Sequence, residues 1–452
     1  MRRAALGGAA VLFALLAFAG WYGSRALPAA VGHKAKTLCS GVFASHLTPE
    51  SIAADLETGD FAVLRHVDAH IDAAAKSVAA DFLGVKREAV YREGLGCTLV
   101  LGGLTPPALP VAAAPPKPAS PLPSSDSPRP PLDAVVARAF EEPDPSHPRR
   151  TLAVVVMRGG RVVAERYAAG ISRDTPLPGW SMAKSVTNAL VGILVREGRL
   201  TLAAPVSAPE WRERDDPRAA ITLDHLLRME SGLRVDEGVT SVDSDVMRML
   251  FGSGDVAAFA ASRKLEAPPG TVYRYSNATT NLIARTLRSA MRDDAEYLSF
   301  PRRALFDRVG MASAVMETDA AGNFVGSSYL LATARDWARF GQLYLQDGVW
   351  NGERILPEGW VAYTTTPAPA DPQRHFGAHF WLAVPDHYAG TNRELPANAF
   401  HAVGHEGQFV TIVPARDTVI VRLGRTRHRG AWDHAAFVRD VLAALEVTQR
   451  GN

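Results

Sequence analysis

Lysine is scarce in this 452-residue chain: seven lysines stand against 42 arginines, and beyond Leu132 only Lys184 and Lys264 occur. A GC-rich coding bias accounts for the skew as a whole. Arginine, however, cannot deprotonate in a protein, whereas lysine can, so a lysine kept at position 184 is consistent with a need for a titratable amine. Cysteine is scarcer still, with Cys39 and Cys97 alone, which leaves no cysteine cluster for a structural metal. His66 and His70 are four apart, as are His401 and His405, but neither pair carries the glutamate of His-Glu-x-x-His, and the second spans Gly404. No metal and no cofactor are expected. Surplus charge is lacking too: the formal net charge is +2, which gives no electrostatic basis for nucleic acid as a partner. No internal repeat is visible, so a solenoid or propeller is excluded.

The chain opens Met1-Arg2-Arg3 and continues in an uncharged apolar run from Ala4 to Tyr22. A positive segment before such a run reads as an export signal. Ala17-Phe18-Ala19 offers a small-x-small cleavage site, and the run is also just long enough to stay as a membrane anchor over residues 1–25. Either way the remainder is expected outside the cytoplasm, periplasmic or held at the outer side of the cytoplasmic membrane. No cysteine follows the run closely, which speaks against a lipoprotein. An even cysteine count in an exported chain predicts a Cys39–Cys97 disulfide; two free buried thiols are the alternative.

Residues 35–103 read as a small helical module, with Ser51 as a capping serine, helical apolar spacing from Ala74 to Leu83, and a short strand at Leu95–Val100. Residues 104–131 are an extended linker dense in proline. From 132 to 446 the order of elements is informative. A helix over Leu132–Phe140 is followed by two β-rich runs, Thr151–Met157 and Arg161–Tyr167, around a hairpin signal at Gly159-Gly160. A mostly helical stretch runs from Ser181 to about Leu345. Two more strands, Gln408–Val413 and Thr418–Leu423, turn at Pro414–Asp417, and a last helix covers Ala431–Leu445. Strands at both ends with helices between predict one antiparallel sheet built from the two ends, flanked by helices, with a helical lobe beside it: an α/β (α+β) fold.

Three motifs carry the chemistry. Ser181 and Lys184, the single Ser-x-x-Lys, stand three apart at the start of an apolar helix, so both side chains project from its first turn. A serine hydroxyl needs a base, and burial would lower the lysine pKa from its ordinary value near ~10.4. The structural alternative is an N-capping serine beside a surface lysine. Tyr275-Ser276-Asn277 is the single Tyr-x-Asn. Tyr275 can share proton traffic with Lys184, and Asn277 can bond a substrate carbonyl or fix the lysine; a loop tyrosine packed on the sheet is the plainer reading. Gly404-His405-Glu406-Gly407-Gln408 opens a strand. Gly407 would let a substrate lie against the backbone, and the N–H of Gln408 could pair with that of Ser181 as an oxyanion hole. Trp180 either lines the pocket or packs in the core.

In this order the three motifs resemble the serine β-lactamase and penicillin-binding-protein superfamily, in its class C-like, Tyr-x-Asn form, over about 132–446. Gly179–Gly192 and Gly404–Gln408 are similar to 6-aminohexanoate-dimer hydrolases and related hydrolases, and Leu227–Leu233 and Ala332–Gly341 resemble family signature stretches. The resemblance implies a β-lactamase/transpeptidase-like fold, Ser181 as nucleophile, Lys184 and Tyr275 as proton-transfer groups, and an acyl-enzyme. His405 stands where β-lactamases carry a lysine for the substrate carboxylate, and no Glu-x-x-Leu-Asn element is present. The expected substrate is a small ester or linear amide; a DD-peptidase or a penicillin-recognising envelope protein with little turnover is the alternative.

Overall fold

The computed structural model describes residues 2–57, 61–104, 106–107, 121–125, 129–206, 208–213 and 215–450, with side chains from residue 20 to 447 apart from 57 and 62. In chain order the elements used below are α1 (Arg2–Cys39), α2 (Pro49–Glu57), β1 (Asp68–Asp72), β2 (Ser77–Phe82), β3 (Val85–Arg92), β4 (Gly96–Val100), α3 (Pro130–Arg138), β5 (Thr151–Arg158), β6 (Arg161–Tyr167), α4 (Met182–Arg196), α5 (Asp245–Gly252), α6 (Asn277–Ser289), α7 (Ala334–Leu345), β7 (Phe400–Gly404), β8 (Gln408–Val413), β9 (Thr418–Gly424) and α8 (His434–Arg450).

The two ends of residues 132–446 do build one sheet. Its order is β7-β8-β9-β5-β6, antiparallel throughout. Successive residues of a strand face opposite sides, and here both sides are covered. Val154, Val156, Phe409 and Ile420 join Leu132 and Val136 of α3 and Val438 and Val441 of α8 in one apolar layer. Val155, Met157, Val410, Val419 and Val421 join Leu190 of α4 and Trp337 and Phe340 of α7 in the other. Covering on both faces is why β8 and β9 read as continuous apolar runs rather than alternating ones. Gly341 lets α7 lie directly on the sheet: a Cβ there would come within 2.5 Å of Val419. Each fully buried Val or Ile contributes roughly 1.5–3 kcal/mol by leaving water.

The N-terminal residues depart from the sequence reading. Ala74–Leu83 is not helical. It contributes the turn before β2 and β2 itself, in a meander of β1 to β4. Its alanines suit a helix, but burial follows period two, with Val78 and Ala80 inside and Ala79 and Asp81 outside. Leu83 and Gly84, both at positive φ, close the next hairpin. Ser51 does not cap α2. Thr48 does, accepting the Ser51 N–H at 3.3 Å, and Pro49 occupies the first turn, where its missing N–H costs nothing. The strand expected at Leu95–Val100 is β4.

Nor does this region stand apart from the rest. The half of α1 from Ala26 onward is packed into the main core, with Ala29, Val31 and Ala35 fully enclosed. Gly32 meets α5 at backbone distance, since a Cβ there would lie 2.0 Å from the Phe251 carbonyl oxygen. The Cys39 and Cys97 sulfurs are bonded, with their Cα atoms 6.0 Å apart, tying α1 to β4. Lys36 forms a buried ion pair with Glu317, and Asp55 of α2 pairs with Arg150 and Arg425. Much of the proline-rich stretch 104–131 lies outside the described residues. Its described end follows the sheet edge, where Val162 N–H donates to the Pro123 carbonyl at 2.8 Å. The expected leader or anchor rests on side chains before residue 20, which lie outside the described ones. Among the described residues no helix is long and apolar enough to cross a membrane.

Candidate active site

Ser181 sits at the turn into α4, preceded by Trp180 at φ 47°. A positive φ on a bulky residue is strained, and the surrounding backbone holds it: the Gly179 N–H donates to the Leu330 carbonyl at 2.8 Å. The Ser181 hydroxyl makes no capping bond to the helix it begins. Lys184, one turn on, is 2 % exposed. The alternative of a capping serine beside a surface lysine is therefore excluded on both counts.

The Lys184 Nζ lies 3.1 Å from Ser181 Oγ, 2.7 Å from Asn277 Oδ1 and 2.9 Å from the Ser327 carbonyl oxygen. None of these acceptors is charged. Burial lowers its pKa to about 7, against an opposing pull from Glu237. Tyr275 stands two residues before α6, next to its capping Ser276. Its ring centroid is 4.9 Å from Lys184 Nζ, and Phe376 and Trp381 flank the ring. Burial raises its pKa, and a hydrogen bond with Ser181 partly counters this. Lys184 is thus able to give up its proton near neutrality, while Tyr275 holds its own.

Asn277 opens α6 with its amide fixed in both directions. Oδ1 accepts from Lys184 and from Ser328 Oγ, and Nδ2 donates to Glu237 at 2.5 Å. Asn277 thus holds the lysine, and it also lines the cavity that contains Ser181. Glu237 was not singled out by sequence. Its carboxylate also accepts from Ser276 Oγ at 2.9 Å and the Asn277 N–H at 2.7 Å. Burial raises its pKa, and Asn277 and then Lys184 oppose that rise. It lies in the 234–245 loop with no motif around it, so no pattern of residue types announced it.

The third motif joins β7 to β8. Gly404 lets the strand end approach the turn before Ser181, for a Cβ there would lie 2.2 Å from the Gly179 carbonyl oxygen. Glu406 and Gly407 both have positive φ. Glu406 forms an ion pair with Arg427 at 2.6 Å; burial would raise its pKa, but His405 and Arg427 hold it low. The Gln408 side chain is fastened to the His405 carbonyl at 3.0 Å and to Gly424 on both its atoms. What Gln408 can offer a substrate is therefore main chain. His405 is exposed and stands edge-on to Trp180, centroids 5.9 Å apart. Both line a cavity of about 140 Å³ together with Ser181, which places Trp180 at the pocket. His401 instead is buried in the sheet, its Nδ1 2.9 Å from Thr411 Oγ1. Among the described residues no group of three or more His, Cys, Asp or Glu could hold a metal.

The sequence and fold can be set beside known proteins. A 6-aminohexanoate-dimer hydrolase of Paenarthrobacter ureafaciens is 26% identical over 340 residues, 70% of this chain and 84% of that protein. A Bacillus anthracis protein named provisionally as such a hydrolase superposes with a TM-score of 0.59 at 23% identity, covering 74% of this chain and 90% of its own. A penicillin binding protein of Bacillus halodurans gives 0.52 at 16% identity, covering 70% and 99%. The two structural likenesses establish the β-lactamase/transpeptidase-like fold, here a mixed α/β one with antiparallel sheets. The family model described as Beta-lactamase matches residues 136–444, the stretch that holds all three motifs, and the chain belongs to the beta-lactamase family of serine hydrolases.

Proposed function

We propose that the protein is an exported hydrolase that cleaves ester or linear amide bonds through an acyl-enzyme on Ser181. The observation that carries this is the 3.1 Å approach of a buried Lys184 amine, pKa about 7, to Ser181 Oγ. Neutral Lys184 takes the Ser181 proton as Oγ bonds the carbonyl carbon. The oxyanion rests on the N–H groups of Ser181 and Gln408 at the helix start and strand start. The bond to the leaving group then breaks, and the leaving oxygen or nitrogen takes the proton from the Lys184 ammonium by way of the Tyr275 hydroxyl. Water repeats the sequence on the acyl-enzyme, releasing the acid and restoring Ser181. Lys184 is assigned as base over Tyr275 because burial moves the two pKa values in opposite directions.

His405 argues for substrates without a carboxylate beside the reacting bond. With His405 where β-lactamases carry a lysine, the charged hydrogen bond of a lysine ammonium to that carboxylate is absent, a loss of about 1.5–3 kcal/mol, so β-lactams fall behind by roughly ten- to a hundredfold. The relative named for 6-aminohexanoate dimers supports linear amides. Export is supported by Arg2-Arg3 with its apolar run and by the paired cysteines.

The test compares kcat/KM for p-nitrophenyl esters, a 6-aminohexanoate dimer, D-Ala-D-Ala peptides and nitrocefin, in the wild type and in Ser181→Ala. Turnover of an ester or linear amide above nitrocefin, lost in the variant, is expected. Nitrocefin or the D-Ala-D-Ala peptides ahead of every ester and linear amide, or full activity in Ser181→Ala, would overturn the reading.

A further inference from the structure

The cavity that exposes Ser181 is not made by the family-matched residues alone. Its near wall is Ser181, Trp180 and His405, but the facing wall comes from upstream of residue 65: Thr37 of α1, Ile52 and Leu56 of α2, and Phe61 and Leu64 beyond it. The floor is α5, through Met247, Leu250 and Phe251. The facing wall and the floor together are aliphatic and aromatic over most of their surface.

The charged groups in the lining are already matched. Arg425 pairs with Asp55. Arg427 donates to the Asp55 carbonyl at 2.5 Å and pairs with Glu406 at 2.6 Å. Two carboxylates and two guanidinium groups thus neutralise one another, and neither sign is left in excess for a charged substrate end. The same contacts run from α2 to the turn that carries His405 and Gln408, so the N-terminal region is fastened to the nucleophile's own surroundings. The Lys36–Glu317 pair, the Cys39–Cys97 bond and the contact of Gly32 with Phe251 hold α1 in register behind it.

We infer that Thr37, Ile52, Leu56, Phe61 and Leu64 form the substrate-selecting wall of the active site, and that the cavity takes an uncharged aliphatic chain attached to the scissile ester or amide. The inference rests on Ser181 being the nucleophile, and goes beyond it by assigning a binding role to a region outside the family match. An apolar chain in this cavity leaves water against Ile52, Leu56, Phe61 and Phe251. Each methylene buried there raises kcat/KM about fourfold until the cavity is full. A chain ending in an ammonium or a carboxylate gains less, because it must be desolvated without a free counter-charge.

Two ester series test this on the full-length protein: p-nitrophenyl acetate through octanoate, which lengthens the acyl side, and methyl through hexyl acetate, which lengthens the alcohol side. The wild type is expected to climb in one series, identifying the side that enters the cavity, and to prefer hexanoyl over 6-aminohexanoyl esters at least tenfold. Thr37→Trp, which narrows the cavity, lowers the hexyl-to-short-chain ratio about tenfold or more. Leu56→Ala, which deepens it, moves the optimum to a longer chain. A lesion of folding alone would scale all chain lengths together, whereas opposite shifts from two substitutions can come only from the wall. Flat length dependence in both series, or ratios unmoved by both variants, overturns the inference while leaving Ser181-dependent turnover intact. Absence of any ester or amide turnover in the wild type overturns the hydrolase reading and this inference with it.

Discussion

Lys34, Lys36 and Lys184 of this arginine-rich protein are all almost fully buried, and the last two, each beside a glutamate, are not alike. Lys36 is 3% exposed and lies 2.5 Å from the Glu317 carboxylate, which also accepts from Ser40 and from the Cys97 N–H. Lys184 is 2% exposed and touches a hydroxyl, an amide oxygen and a carbonyl, with Glu237 one residue removed behind Asn277. Burial lowers both pKa values, but at Lys36 the opposing charge is in direct contact. Burial alone does not make a base. What distinguishes the site is a buried amine whose neighbours are neutral acceptors and whose counter-charge is held off by an intervening amide. Lys36 is a clamp that ties α1 to Glu317.

The sharpest way to break this comparison is to remove each amine in turn. Lys184→Met is expected to cut kcat/KM by about 10²–10⁴, the range of a lost general base, with a stability cost of about 1–3 kcal/mol from the acceptors it leaves. Lys36→Met should do the reverse. Leaving Glu317 buried without its partner costs about 3–5 kcal/mol, while the folded fraction keeps kcat/KM within about tenfold. Urea melts and ester kinetics on the two variants decide it. Equal losses of activity, or a more stable Lys36→Met, would erase the distinction.

Glu237→Gln sharpens the comparison from the other side. Glu237 raises the Lys184 pKa, so its neutralisation lowers that pKa and moves the rising limb of the pH–rate profile to lower pH, with about a tenfold loss in kcat as Asn277 loosens. A limb that stays in place would show that Glu237 only supports the loop.

A smaller effect separates these amines from the buried imidazoles. Burial lowers His379 to about 3, with a weak upward pull from its bond to the Leu227 carbonyl, and burial lowers His401 to about 3. A folded-state pKa below the unfolded one means the unfolded chain binds more protons between the two values. Stability from these groups is therefore present above about pH 6.5 and is lost as pH falls toward 3. Replacing His401 by Gln should flatten that fall in urea melts between pH 6.5 and 4. An unchanged slope would mean His401 does not contribute.

The sheet and the approach of Lys184 to Ser181 were legible because their signals are local. Thr151–Met157 and Thr418–Leu423 carry β-branched runs bounded by turns, and Ser181 and Lys184 fall on one helical turn, where spacing alone brings them together. Lys184 could be picked out because beyond Leu132 the chain uses arginine at every other basic position but Lys264, histidines aside. Glu237 could not, because its role depends on a loop reaching Asn277 across 40 positions. Ala74–Leu83 misled because alanine suits a helix and its period-two burial is set by strands that pair with it from elsewhere. The docking of α1 and α2 over the cavity was hidden for a related reason. It depends on Asp55 meeting Arg150 and Arg425, contacts between residues far apart in the chain that no single stretch encodes.

The central claim is that Lys184, neutral near pH 7, activates Ser181. The direct measurement is the rate at which an uncharged fluorophosphonate labels Ser181 as a function of pH, with the labelled peptide identified by mass spectrometry. The account predicts a rate that rises with pH through a single midpoint near 7, the value to which burial lowers Lys184. A midpoint near ~10.4, the ordinary lysine value, or a rate indifferent to pH, would contradict it.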